Sequence, residues 1–583
     1  MRGEIVRITT GARVAVAVIA AAAGLSGCAS EQGLAHVART AHRAMRESHK
    51  ALAMSRAQAA HERVADHALR ARIATLAREQ EALALRLHDV HAQNAARARA
   101  LPAARAKAAA DALFPKVVAQ ALALAKAPYK APPEVGPPLS QLTFNQYQQL
   151  SLVGRPPGWQ AGTPFHLTLD PAGYLFRWPE TIDIVAHGKV QAAQLPFAVK
   201  GDPALAKTIK GSVPPAGFNA ETSFGKGPPV NEFLSVLGAS YFRAVGAGQS
   251  WGLSARGIAV DTALPHRAEE FPYFQRFWIV ASHKGAHALA FCALLNSPSL
   301  TGAYRFLVRP GSDTIVGVKA VLFERKAVRR LGIAPLTSMF LQGRFSHHRF
   351  DHLVRAAHDS DGLAFQTASG GRLWWPLRDP KRIAITRFPM TSPRGFGLLQ
   401  RARRARDYRA YGMHYEKRPN AWVQPEGHWG PGHLLLVELP TNSQNNDNIS
   451  VFWVPKTQAA PLQPMTFRYR IVWSGHNPRG RRLDYVAASR HADNTHKHEE
   501  TYVVDFKGAA LSTVPVTQIT PAVHIVGPAR LVRAWVTRNA AHEWRLQFDV
   551  ARTGAGPVTL HAALQKGPAR VSETWGNTLP ARD

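Results

Sequence analysis

Beyond residue 150 the chain carries short apolar bursts, many of them alternating with polar residues: "FHLTLD" (165–170), "YRFLV" (304–308), "ISVFWV" (449–454) and "MTFRYRIVW" (465–473). They recur roughly every ten residues between Gly, Pro and Asn signals, which predicts antiparallel strands stacked as a sandwich and argues against βαβ units. The same texture returns after the joint "SGHNPRGRR" (474–482), in "TYVVDF", "LVRAWV", "EWRLQFDV" and "VTLHAAL". There Trp544, Leu546, Phe548 and Val550 fall on one face. About a hundred residues of such strands suit an immunoglobulin-like sandwich, here without its disulfide.

Upstream the period changes. Residues 31–112 are rich in Ala, Arg and His and read as helix. Leu69, Ile73, Leu76, Leu83, Leu87 and Val90 follow a heptad seam if Gln80 is its polar member. That seam fits a spacer or an oligomerisation element, and its lack of aromatics argues against a ligand site. The predicted class is therefore mainly β: a large N-terminal β-sandwich and a C-terminal immunoglobulin-like β-sandwich, preceded by a helical, coiled-coil-like segment. The boundaries read as a leader at 1–27, a helical spacer at 28–112, a short helix and Pro-rich joint at 113–140, the large sandwich at 141–474 and the small one at 475–583.

At 583 residues, 46% of them hydrophobic, the chain has material for more than one core. Its formal charge of +33 raises the question of an anionic partner. The basic residues are spread along the whole length, however, and the densest run, "RARRARDYR" (401–409), is short. A solvated basic surface is expected, not nucleic-acid binding. Two cysteines, Cys28 and Cys292, leave no disulfide framework.

Cys28 has another use. Arg2, Arg7 and Arg13 precede the apolar stretch "VAVAVIAAAAGL", which is too short for a mature membrane span and fits a signal peptide. Leu25-Ser26-Gly27-Cys28 then resembles the bacterial lipoprotein box, which implies lipidation of Cys28 and anchoring on a membrane. Ala29 after the cysteine suggests the outer membrane of a Gram-negative cell.

Chemistry is sought among carboxylates, histidines and aromatics. His348 and His352 have zinc-ligand spacing, but among 26 histidines such pairs arise by chance and no third ligand follows. No metal and no organic cofactor is expected. Asp447, in "NSQNNDNISVFW", is a lone acid among amides with no cation within five residues along the chain. Enclosed against Phe452 or Trp453 it would hold a proton, as the general acid of glycosidic cleavage must. "HDSD" (358–361) offers Asp359 or Asp361 as the second carboxylate, beside His358. The plainer reading makes both stretches turns, with Asp and Asn capping backbone groups. Trp374, Trp375, Trp422, Trp429, Trp453, Tyr241 and Tyr304 border predicted loops, where flat rings could stack on sugars or simply fill a core.

Longer blocks weigh more. "LGASYFRAVG" (237–246), "GLSARGIAVDT" (252–262), "EEFPYFQRFW" (269–278), "SLTGAYRF" (299–306), "LGIAPLTSMF" (331–340), "HDSDGL" (358–363), "PRGFGLLQR" (393–401), "DNISVFW" (447–453) and "VSETW" (571–575) resemble, in order, the periplasmic glucan biosynthesis family G/D. The resemblance implies a galactose-mutarotase-like sandwich joined to an immunoglobulin-like one. It implies a role in making osmoregulated periplasmic glucan, whose backbone is β-1,2-linked, and anomer-inverting hydrolysis or transglycosylation of that polymer. By motif the general acid falls on Asp447 and the base on Asp359, supported by His358, Asp361, Gln444 and Asn448. The two carboxyls are expected roughly 6.5–9.5 Å apart, or farther if water or sugar hydroxyls relay the proton. Tyr241, Arg243, Tyr304, Trp374, Trp375, Tyr415, Trp422 and Trp453 are the expected substrate contacts.

The chain departs from the family pattern P-T-x-x-E-x-x-D-N-I at one place, with Gln444 for the Glu. Asn296 stands where the family tends to Asp, and Trp375 where an Arg usually precedes Pro-Leu. The rival expectation is a non-catalytic glucan-binding module that presents the polymer to membrane-bound partners. Partners implied are the glucan, a membrane reached through the lipid anchor, a membrane glucosyltransferase and, as homodimer, a second copy of the chain.

Overall fold

The computed structural model describes residues 104–581 except 225–230, 347–353, 411, 478–483, 495–498, 509–510, 512–513 and 539–542, and also 39–54 except 41, 48 and 52. The chain divides into two compact units, 1–98 and 99–583. In the first, the described residues are helical and exposed. Cys28, the seam from Leu69 to Val90, and the His348 and His352 pair lie outside the described residues.

The second unit is built on two large antiparallel-rich sheets, one of ten strands and one of fifteen among the described residues. Alternation along each strand sends one set of apolar side chains inward, where they meet those of the facing sheet. Phe218 of strand Pro215–Thr222 packs edge-on against Phe277 and Phe291 of the other sheet, both with ring centroids 5.3 Å away. Phe242 meets Phe306 at 5.3 Å in the same way.

The outer face of the larger sheet is covered by the helix Ala104–Lys126, which runs across the expected boundary at 112. Ala106, Ala110, Phe114, Val117, Ala121 and Ala125 recur at steps of three and four, forming one buried stripe. They pack on Trp278, Ala290, Cys292, Leu294 and Ala303. Small side chains on both partners let the helix lie close. Strand Leu289–Asn296 is consequently buried at all eight positions.

The C-terminal region forms a second sandwich, but its strands are not all separate from the first. Strands Tyr485–Asn494, Glu499–Lys507, Trp544–Arg552 and Ala529–Arg538 make one four-stranded sheet. The facing layer, Thr520–Val526, Val558–Lys566 and Thr574–Leu579, continues the large sheet through a parallel pairing of Leu373 with Thr574 and Trp374 with Trp575. The junction makes successive tryptophans serve two cores. Trp374 packs with Tyr502, Trp544 and Trp575, whereas Trp375, pointing the opposite way, joins the core of the large sandwich.

Candidate functional site

The site is assembled by a three-strand clamp centred on Phe340. Strand Leu331–Ser338 pairs with Ile449–Pro455, placing Ser338 opposite Ile449. Just beyond, Asn448 accepts from the Phe340 N–H at 2.8 Å and donates to the Phe340 carbonyl at 3.0 Å and the Leu439 carbonyl at 2.9 Å. On its other side Phe340 pairs with His358. Asp447 and Asp359 are each one residue beyond these clamped positions. The Asp359 N–H donates to the Met339 carbonyl at 2.8 Å, and Ser338 and Ser360 join their hydroxyls at 2.9 Å. The backbone therefore holds the two acids on either side of one residue, close enough for their charges to interact.

Asp447 is open to solvent on one side and lines a cleft of about 450 Å³ with Tyr241, Arg243, Tyr273, Trp178 and Glu180. Protein on the remaining sides raises its carboxyl above the ordinary range, while Arg243 and Arg418 pull the other way. The cation missing along the chain is thus supplied in space, and the net shift is still upward. Asp359 is 4% exposed and ion-paired with Arg418. Burial pushes it up to about 6 against the pull of that guanidinium, with the Asp447 charge adding to the rise.

A second layer fixes both loops. The Tyr415 hydroxyl donates to Gln444 Oε1 at 2.7 Å, and the Arg418 guanidinium lies 4.2 Å from the Tyr415 ring centroid. His358 is buried, its ring stacked on Phe340 at 5.3 Å. Its Nε2 faces Asp361 Oδ1 at 3.1 Å and its Nδ1 faces Gln400 Oε1 at 2.9 Å. Burial draws this imidazole below its ordinary pKa, and the two acceptor oxygens oppose that. Asp361 also accepts from the backbone N–H groups of Arg401 and Ala402. Gly362 follows it because a Cβ there would lie 2.4 Å from the Trp374 ring.

Several expected sugar contacts lie elsewhere. Tyr304 is 1% exposed in the middle of strand Leu300–Arg309, and its hydroxyl donates to the Gly257 carbonyl at 2.9 Å. Trp453 is enclosed between the large sheets, Trp375 with it, and Trp374 and Trp422 fill the C-terminal core. The reason is common to all: strands covered on both faces have no outward set of side chains, so bordering a predicted loop does not expose a ring. Tyr241 and Arg243 do reach the cleft, whereas Tyr415 is 1% exposed and touches the Asp447 loop only through Gln444. Asn296 is buried beneath, donating to Gln275 Oε1 at 2.9 Å and to the Tyr273 hydroxyl at 3.5 Å.

Arg418, Gln400, Trp178, Phe271 and Glu180 were not anticipated. Arg418 and Gln400 carry no local signal, since their partners come from distant strands. Trp178 and Glu180 were signalled weakly, as an aromatic and an acid around Pro179 at the mouth of a strand.

Comparison with known sequences shows the family. The glucans biosynthesis protein G of Ralstonia nicotianae is 37% identical over 486 residues, spanning 80% of this chain and 95% of that protein. The family described as "Periplasmic glucan biosynthesis protein, MdoG" matches residues 113–579, the whole of both sandwiches. The chain therefore belongs to the periplasmic glucan biosynthesis family and has its role in the making of glucan in the periplasm.

Proposed function

We propose that the cleft binds β-1,2-linked glucan and that the protein cuts or re-forms its glycosidic bonds with inversion at the anomeric carbon. Asp447 gives its proton to the leaving glycosidic oxygen as the C–O bond breaks. Water, or a sugar hydroxyl in transglycosylation, attacks from the opposite face and loses its proton to Asp359, directly or through an intervening hydroxyl. His358 and Asp361 orient the Asp359 loop, Asn448 and Tyr415 the Asp447 loop, and Tyr241 and Arg243 border the polymer.

One observation carries this reading: two carboxyls flank Phe340 in unlike surroundings, Asp359 buried and ion-paired with Arg418, Asp447 exposed on the cleft with its carboxyl raised above the ordinary range. Paired carboxyls in unlike surroundings can take the two different roles of acid and base. The experiment is incubation with linear β-1,2-glucan, following chain length and the anomer of the new end. Shortened or re-joined chains with inverted anomers are expected, and Asp447→Asn should abolish them. Intact glucan after prolonged incubation would sink the proposal.

A second reading, a glucan-binding module without chemistry, is favoured by Gln444, whose neutral amide accepts from Tyr415 but cannot take up a proton. Under it Asp447→Asn leaves glucan retention and biosynthesis intact. In either case the leader and Cys28 support acyl anchoring on the periplasmic side of the outer membrane, with a membrane glucosyltransferase supplying polymer, the segment at 28–112 acting as a spacer and a second copy of the chain as a further partner. Loss of palmitate labelling in Cys28→Ser tests the anchor.

A further inference from the structure

The cleft holds one carboxyl that the fold leaves unsatisfied. Glu180, at the mouth of strand Thr181–Ala186, is 7% exposed and lines the cleft beside Asp447. Its Oε2 is enclosed with no hydrogen-bond partner among the described residues. A buried polar atom without a partner destabilises a fold, so its presence calls for a role. Burial, reinforced by the charge of Asp170, holds Glu180 well above the ordinary carboxyl range. A neutral carboxylic acid both donates and accepts, as a sugar hydroxyl does.

Around it stand aromatic faces that the core does not use. Trp178 is 40% exposed and Phe271 46%, and both line the cleft. The Trp178 ring lies 5.8 Å from Tyr273, and its indole N–H donates to Glu134 Oε1 at 3.2 Å, so the platform is fixed in place. Arg256 backs Phe271 at 5.0 Å and is neutralised by Glu269 at 2.7 Å. Fixed apolar faces beside a group that donates and accepts match the C–H face and hydroxyl rim of a hexose.

We propose that Glu180, Trp178 and Phe271 form a subsite for one uncharged glucosyl unit, with Glu180 hydrogen-bonding its hydroxyls and the rings stacking on its apolar face. The inference rests on the glucan reading of the cleft and adds to it a specificity-determining acid outside the cutting pair. Its consequence is that affinity rises stepwise when an oligosaccharide becomes long enough to reach Glu180.

The test is calorimetric titration of the Asp447→Asn protein, which spares the ligand, with linear β-1,2-gluco-oligosaccharides of increasing length. Glu180→Met and Trp178→Ala, each added to that protein, should weaken binding of the long oligosaccharides about tenfold or more and leave the short ones within about twofold. Glu180→Gln, which still donates and accepts, should bind within about threefold of the parent. Equal weakening at every length would mean a merely structural role, and unchanged binding of the long ligands would remove the subsite; either overturns the proposal. If Glu180→Met fails to fold, Trp178→Ala on the exposed rim decides by itself. Failure of the parent to bind any length is a different result, because it refutes the glucan reading itself.

Discussion

The Tyr415 hydroxyl donates to the Gln444 side-chain oxygen at 2.7 Å, tying the turn Tyr415–Lys417 to the loop that carries Asp447 three residues further on. The amide fixes the loop but leaves the tyrosine proton where it is. A carboxylate there would accept a stronger, charge-assisted bond and could pass a proton onward. Gln444→Glu should raise the rate of β-1,2-glucan cleavage by about tenfold or more, within the range of general acid–base contributions. Tyr415→Phe in the same background should remove that gain. Initial rates of reducing-end release measure both, and an unchanged rate in Gln444→Glu would separate this loop from proton transfer.

Arg418 opposes the upward shift of Asp359, the proposed base. Burial pushes that carboxyl up to about 6, with Arg418 opposing the rise. Removing the cation as Arg418→Met takes away the opposing pull, so the carboxyl must rise further and lose its ionised form at higher pH. The acid limb of the kcat/KM profile should move toward alkaline pH, and activity at pH 6 should fall by about fivefold for a displacement of one pH unit, since the ionised fraction there drops from about a half to about a tenth. A lower plateau with an unmoved limb would mean that Arg418 positions substrate and does not tune the base.

Asn448 holds both loops in register through three hydrogen bonds to backbone groups of Phe340 and Leu439. Asn448→Ala leaves the Phe340 N–H and carbonyl without that partner in a buried place. A loss of about 2–4 kcal/mol is expected in urea denaturation, with each orphaned group costing about 1–3 kcal/mol. Because the clamp sets the spacing of Asp447 and Asp359, activity should fall even at temperatures where the variant is fully folded.

The strand alternation of "EWRLQFDV" and "ISVFWV" was enough to predict stacked sheets, because period two is a local property of the backbone. The motifs also drew attention to Asp447 and Asp359, which the strands around Phe340 bring near each other. What could not be read locally was cover. Trp374 borders a predicted loop, yet the pairing of Leu373 with Thr574 brings a distant strand across it and closes it into the C-terminal core. Arg418 escaped notice for the converse reason: nothing in "YEKRP" announces that a carboxylate from another segment folds against it. Long-range pairing decides both which rings are exposed and which charges meet.

These buried rings bear on how variants should be read. Tyr304 donates to the Gly257 carbonyl from within the core, and Trp453 is wholly enclosed. Trp453→Ala should cost about 3–5 kcal/mol of stability, as core aromatic truncations do. The folded fraction should keep the KM of the parent for glucan. A changed KM with unchanged stability would return the ring to the cleft.

Asp170 gives the fold a pH dependence whose sign is fixed by its surroundings. Its two oxygens accept from Asn219 Nδ2 at 3.0 and 3.1 Å, and burial pushes the carboxyl from 3.8 to about 6, Asn219 opposing and Glu232 adding. The folded state therefore binds this proton more tightly than the unfolded chain. The group's contribution is fully favourable below 3.8 and is lost as pH rises through about 6, leaving a cost of up to about 3 kcal/mol above that window. Asp170→Asn removes the titration while keeping an oxygen to accept from Asn219. The variant and the parent should be similarly stable near pH 3.5, and the variant should gain over the parent between about pH 4 and 6 and keep that gain at pH 8. Denaturant titrations at those values measure the difference. A difference that stays constant across them would show that the carboxyl is not held above its unfolded range.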